Sequence, residues 1–227
     1  MSIVRSRPAP AVPVRAIARA WHATLAVVVL AALIFQAVLV ARNGPDVNAM
    51  GPSQPAALAA RLARMCCFFT IQSNILVLAG ALTLALRPAA DGRLWRVVRL
   101  DGLVGILVTA LVFDLVLSHE VHPVGADRYA DAGLHYLVPV MAVLGWLLFG
   151  PRPRIGWDSV GWALVWPLAW LAFTFANAAV TGWCPYPFLD PGAIGYPLAL
   201  ATAAVLVALG LGVLALLHWL DARLPRT

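Results

Sequence analysis

The sequence predicts an all-α polytopic membrane protein, a bundle of six transmembrane helices, and three observations predict it. The 227 residues are 62% hydrophobic and only 11% charged, with a mean hydropathy of +0.86, whereas a soluble domain carries about a quarter charged residues. The apolar residues gather into six blocks of about 20, each long enough to cross a hydrocarbon core of roughly 30 Å as helix. All sixteen basic residues are arginine, and they punctuate block ends without forming a patch. This excludes a soluble enzyme, a disordered chain and a nucleic-acid-binding domain. The net charge of +6 therefore reports topology, and the expected partners are membrane lipids.

The blocks are Trp21–Ala41, Cys66–Leu86, Val97–Ser118, Ala130–Phe149, Ser159–Val180 and Tyr196–Leu220. A segment in lipid must satisfy its own backbone, so helices are the default. A barrel would need short alternating segments, which are absent. The first block is longer than the apolar core of a secretory signal, and no small-x-small cleavage site follows, so it reads as a retained helix. Met1–Val14, with Pro8, Pro10 and Pro13, reads as a disordered tail. The expected plan is a tail over 1–20, one six-helix domain over 21–220 and a short tail over 221–227. The loops are short, and the longest, Arg42–Met65, is rich in Gly, Pro and Ala. With the N-terminus inside, twelve arginines fall on inner segments, and four (Arg42, Arg61, Arg64 and Arg128) fall outside. That bias predicts a multi-pass cell-membrane protein with both termini cytoplasmic.

Polar groups in a spanning helix are costly and face the bundle interior, which makes them functional suspects. Thr70, Ser73 and Asn74 stand at i, i+3 and i+4 and share one face, while Gln72 points elsewhere. Thr70 lies roughly 6 Å below the outer boundary at 1.5 Å per residue. Asp114, His135, Thr174 and Asn177 fall at a similar depth on three further helices. Taken singly, each Thr or Asn reads as interhelical hydrogen bonding. Taken as a set, they suggest one polar pocket under the outer leaflet.

His135 is followed four residues on by Pro139, which has no N–H for the carbonyl of residue 135. A kink is expected there, opening space between helices. A Thr hydroxyl needs a base to become a nucleophile, and His is the usual base. Asp114 could orient that His, and Asn74 or Ser73 could donate to a developing oxyanion. These parts suit acyl transfer or ester hydrolysis on a lipid.

Other constellations read as structure. His119, Glu120, His122, Asp127 and Asp131 could hold a metal, but they lack metal-ligand spacing and read first as a solvated loop. No cofactor is expected. His22 and His218 lie near the inner interface and could pair, and Asp101 is expected to ion-pair with the Arg93–Arg99 cluster. The nine Trp fall mostly near helix ends, and Trp166-Pro167 predicts a kink in the fifth helix. Cys184 could bridge to Cys66 or Cys67, although small buried thiols are the preferred reading. Thr181–Asp190, which carries Trp183 and Tyr186, is aromatic and stiffened by proline. It reads as a headgroup-level anchor or a lid over the pocket.

Several stretches resemble the Pr6Pr family of bacterial membrane proteins: Phe68 to Asn74, Asp91 to Arg96, Leu134-His135-Tyr136 with Pro139, Gly145 to Arg152, and Thr181 to Asp190. The resemblance runs from the first helix to Leu220 and implies no assigned activity. More remotely, the arrangement is similar to the androgen-induced-gene family, which includes the androgen-dependent TFPI-regulating protein. Those are multipass threonine hydrolases of fatty acid esters. That likeness implies Thr70 as nucleophile, His135 as catalytic His after Gly133-Leu134, and a match at Gly182, Tyr186, Pro187, Phe188 and Leu189. Gln72-Ser73-Asn74 departs from the eukaryotic pattern, and Ser73 could replace Thr70 as nucleophile.

The resulting expectation is a hydrolase of lipid-like esters, with Thr70, His135 and Asp114 catalytic. Ser73, Asn74, Asn177, Trp183 and Tyr186 would line the substrate pocket. The alternative is a non-enzymatic protein that binds or transports a small lipophilic molecule in the same place.

Overall fold

The computed structural model describes residues 12–42, 56–120 and 122–226. The elements are α1 (Val12–Ala41), α2 (Leu58–Cys67), α3 (Phe69–Leu86), α4 (Arg93–Val112), α5 (Asp127–Ala132), α6 (Val138–Phe149), α7 (Trp157–Ala163), α8 (Val165–Thr181), α9 (Pro191–Ile194) and α10 (Tyr196–Arg223). Two π-helical turns, Phe113–Leu117 and Gly133–Leu137, extend α4 and join α5 to α6. The described residues contain no strand. Among the described residues, six helical stretches are long and apolar enough to cross a membrane: Val14–Ala41, Phe69–Leu86, Arg93–Leu117, Asp127–Phe149, Trp157–Thr181 and Tyr196–Arg223. The protein is an all-α polytopic bundle. Its outer faces carry exposed Leu86, Val180, Val205 and Leu216, which suits a hydrocarbon surround.

The first helix starts at Val12, well before the expected Trp21. Pro13 fits its first turn, where a missing N–H costs nothing. Arg19 is held by the tertiary structure, its Nε donating to the carbonyl of Ala85 at 3.0 Å. The remainder of the expected tail, residues 1–11, lies outside the described residues, as do residues 43–55 of the long loop.

That loop contains an element the apolar blocks did not show. In α2, Leu62 and Met65 turn toward the core, and Arg61 and Arg64 are half-buried. Arg61 donates to the carbonyl of Ala41 at 3.2 Å, and Arg64 lies over the Trp183 ring at 5.2 Å. One extended residue, Phe68 (φ −69°, ψ 132°), separates α2 from α3. Its ring is buried edge-on against Trp183 and Tyr186, at 6.0 and 5.4 Å between centroids. Thr70 is consequently the second residue of a new helix, in the positive field of its N-terminus.

Small residues let α3 and α4 pack closely. A Cβ on Gly102 would lie 3.2 Å from the backbone of Leu76 and Val77, and one on Gly105 would lie 2.7 Å from Ser73 Oγ. The fifth span divides between Ala163 and Val165. Pro167 cannot donate to the Ala163 carbonyl four residues back, so the break falls one turn before the proline.

The arginine-rich end is fastened through carbonyl groups and carboxylates. Arg99 donates to the carbonyls of Gly150 and Pro151, and Arg152 to those of Trp146 and Leu147. Arg96 and Arg154 both pair with Asp91. Asp221, 2% exposed, accepts from the backbone N–H of Arg154 and Ile155 at 2.6 and 2.8 Å. The ion pair expected for Asp101 is therefore made by Asp91, because Asp101 turns into the bundle. His22 and His218 do not pair: His22 meets the Phe149 ring, while His218 donates through Nδ1 to Ile155 at 2.8 Å and rests on Trp157.

Candidate functional site

Thr70 and His135 come from different spans and meet in the interior. Thr70 Oγ1 lies 3.3 Å from His135 Nε2, and the two residues are 3% and 1% exposed. On the other side of the ring, His135 Nδ1 lies 2.9 Å from Asp131 Oδ1. A proton on Nδ1 donated to that carboxylate leaves the Nε2 lone pair free to accept from the threonine hydroxyl. Hydroxyl, imidazole and carboxylate thus form a line.

Local backbone chemistry builds this line. Pro139 cannot bond the carbonyl of His135, and the chain responds with a π-helical turn over Gly133–Leu137 in place of a simple kink. The N–H of Val138 reaches back five residues to Gly133. A second π turn begins at Phe113, whose ring stacks on His135 with centroids 4.0 Å apart and planes 15° apart. Asn74, fully buried, donates from Nδ2 to the carbonyl of Thr70 at 2.8 Å and to that of Leu134 at 3.4 Å. One amide therefore ties the backbone of Thr70 to the residue before His135.

The expected site residues fall in several places. Asp114 is exposed, and the position beside His135 Nδ1 belongs to Asp131, which the sequence reading had grouped with the solvated loop. The signal for it was its spacing, four residues before His135. Ser73 is fully buried but donates to the carbonyl of Phe69 at 2.8 Å and faces Gly105. Asn74 spends its amide on the backbone. Asn177 donates to the carbonyl of Trp183 at 2.9 Å and so holds the segment after α8. Tyr186 and Phe188 of that segment line the cavity, whereas Trp183 packs behind them on Phe68. Thr174 is buried, and its hydroxyl has no hydrogen-bond partner among the described residues.

The Thr70–His135 pair opens on a cavity of about 90 Å³ between α4, α8 and α10. Its wall is almost wholly apolar. Along α4 the lining runs through Val104, Val108, Val112, Phe113 and Leu117, and Trp166, Trp170 and Leu206 face it. Polar groups stand at Thr70 and His135, at Thr109 along the side, and at Asp101 far along α4. Trp166 Nε1 donates to Gln72 Oε1 at 3.0 Å, and Trp170 Nε1 donates to the carbonyl of Cys67 at 2.9 Å, so both indoles are fixed in the wall.

His119 and His122 are exposed, and among the described residues no three His, Cys, Asp or Glu side chains gather as a metal site would require. Cys66 is exposed, and Cys67 and Cys184 are partly buried, with thiols turned to the carbonyls of Ala63 and Tyr186. Fold and site define a polytopic all-α bundle with a buried hydroxyl–imidazole pair, backed by a partly exposed carboxylate, at one end of an apolar cavity. No protein-family model matches the chain, and no curated protein and no solved structure matches it.

Proposed function

We propose that the protein is a membrane-embedded hydrolase of lipid-like esters, with Thr70 as nucleophile, His135 as general base and Asp131 as the group that orients the base. The observation that carries this reading is the Thr70 Oγ1–His135 Nε2–His135 Nδ1–Asp131 Oδ1 line at 3.3 and 2.9 Å, opening on an apolar cavity. Thr70 Oγ adds to the ester carbonyl as its proton passes to His135 Nε2. The tetrahedral intermediate then collapses, and the leaving alkoxide takes that proton. Water, deprotonated by the same nitrogen, cleaves the acyl-threonine and restores the hydroxyl. Asp131 keeps Nε2 unprotonated at rest and stabilises the imidazolium that forms. The resemblance to multipass threonine hydrolases points the same way.

The arginine distribution supports an orientation with both termini cytoplasmic and the Thr70 end under the outer leaflet of the cell membrane. The test is turnover of a fluorogenic fatty-acyl ester panel by purified protein in detergent, beside T70A, H135A and S73A. The reading requires turnover that is lost in the first two variants and retained in S73A. A second reading, a binding or transport protein for a small lipophilic molecule, is favoured by the apolar length of the cavity. It would show ligand binding that survives T70A with no turnover in any variant.

A further inference from the structure

Asp101 is an ionisable group of the cavity wall that the hydrolytic line does not use. It lies on α4, 6% exposed, and belongs to the cavity wall. The residues that share the cavity wall with it on α4 and α10, Val104, Gly210 and Leu214 among them, are mostly apolar or without a side chain. The cations that could have neutralised it are engaged elsewhere: Arg99 with the Gly150 and Pro151 carbonyls, and Arg96 and Arg154 with Asp91. No hydrogen bond or ion pair to the Asp101 carboxyl is formed among the described residues. Burying an unpaired carboxyl in an apolar wall is costly, and in a spanning helix such a group marks a site for a partner.

Asp101 and Phe113, the ring stacked on His135, lie twelve residues apart on one helix, roughly 18 Å along its axis at 1.5 Å per residue. The cavity therefore has two polar ends and an apolar middle. We propose that Asp101 is a specificity-determining residue: it accepts a hydrogen bond from a donor group, a hydroxyl or an ammonium, at the far end of an alkyl chain whose other end lies at Thr70. A carboxyl group offers an acceptor oxygen whether or not it carries a proton, so both forms select a donor. An unsubstituted alkyl chain would fill the same space and leave the carboxyl unsatisfied. The proposal rests on the reading of the cavity as a ligand site, and it narrows the ligand class to chains with a polar donor at the distal end.

The experiment is equilibrium binding to the full-length protein in detergent, read by native mass spectrometry. The probes are dodecanol, its α,ω-diol and the matching ω-amino alcohol, tested on wild type, D101L and D101N. The wild type should bind the diol or the amino alcohol about tenfold tighter than dodecanol, the expected gain from one hydrogen bond to a charged or buried acceptor. D101L should bind all three alike, with its fold verified by circular dichroism and elution volume. D101N keeps an acceptor oxygen without the charge. Retention of the diol preference in D101N identifies a hydroxyl as the natural donor, and loss of an amino-alcohol preference there identifies a cation. Equal binding of the three probes by wild type would overturn the Asp101 proposal and leave the ligand cavity standing. Binding of none of them would overturn both.

Discussion

Asp131 and His135 stand four residues apart, with the carboxylate Oδ1 2.9 Å from the imidazole Nδ1. The opposite ring nitrogen faces Thr70. A π-helical turn begins between them, so the carboxylate and the imidazole belong to different helical regimes of one span. If the carboxylate sets the tautomer, Asp131→Asn should lower ester turnover by about two to four orders of magnitude. Asp114→Asn, at an exposed carboxylate, should leave turnover near wild type. Steady-state kinetics of the two variants decides between the carboxylates.

Pro139→Ala restores an N–H that can bond the His135 carbonyl and so favours an α-helical turn over the π turn. His135 would rotate away from Thr70. The expected result is a loss of kcat of at least about tenfold, since a misplacement near 1 Å can cost a hundredfold. Helicity by circular dichroism should be unchanged or slightly raised.

The close passage of α3 and α4 predicts a stability effect. Gly105→Ala would place a methyl 2.7 Å from Ser73 Oγ and 3.0 Å from the Trp166 ring. Both neighbours are confined, Ser73 by its bond to the Phe69 carbonyl and Trp166 by its stack on Phe69 at 4.7 Å. Overpacking of this kind costs about 1–3 kcal/mol. A lower thermal midpoint in detergent would register it, whereas Gly161→Ala, with nothing within 4 Å of the added atom, should be silent.

Most of the fold was legible in the sequence because spanning helices are long, apolar and bounded by arginine. Helix α2 was not, since ten residues with three apolar positions on one side look like a loop beside blocks twice as long. Thr70 and His135 were legible because a hydroxyl and an imidazole inside apolar blocks are conspicuous. Asp131 was hidden by standing four residues after Asp127, close in sequence to the acidic residues of the preceding loop. Asp101 was misjudged as an interfacial ion pair because its arginine neighbours in sequence bond backbone carbonyls and Asp91, a matter of tertiary packing.

Buried Asp221 predicts a second stability effect, at the arginine-rich end. Asp221→Ala removes the acceptor of two partly buried backbone N–H groups, those of Arg154 and Ile155, at about 1–3 kcal/mol in all. Chemical denaturation in mixed micelles should show a lower midpoint, with no change in the Thr70 chemistry at the other end.

The cysteines give a pH-dependent prediction. Burial pushes the Cys184 thiol above its ordinary range, so its thiolate is scarce at neutral pH and becomes available as pH rises. Cys66 is exposed. Alkylation followed by peptide mass mapping at neutral pH should modify Cys66 first and Cys184 slowly, with the Cys184 rate climbing at alkaline pH.

The most direct measurement is covalent trapping of the nucleophile. Purified protein would be treated with a long-chain fluorophosphonate, which phosphonylates an activated hydroxyl, and the modified residue located by peptide mass spectrometry. Adduct on Thr70, absent in His135→Ala and undiminished in Ser73→Ala, is the predicted result. Adduct on Ser73, or none on either residue while the ester panel is still turned over, would contradict the assignment of Thr70 as nucleophile.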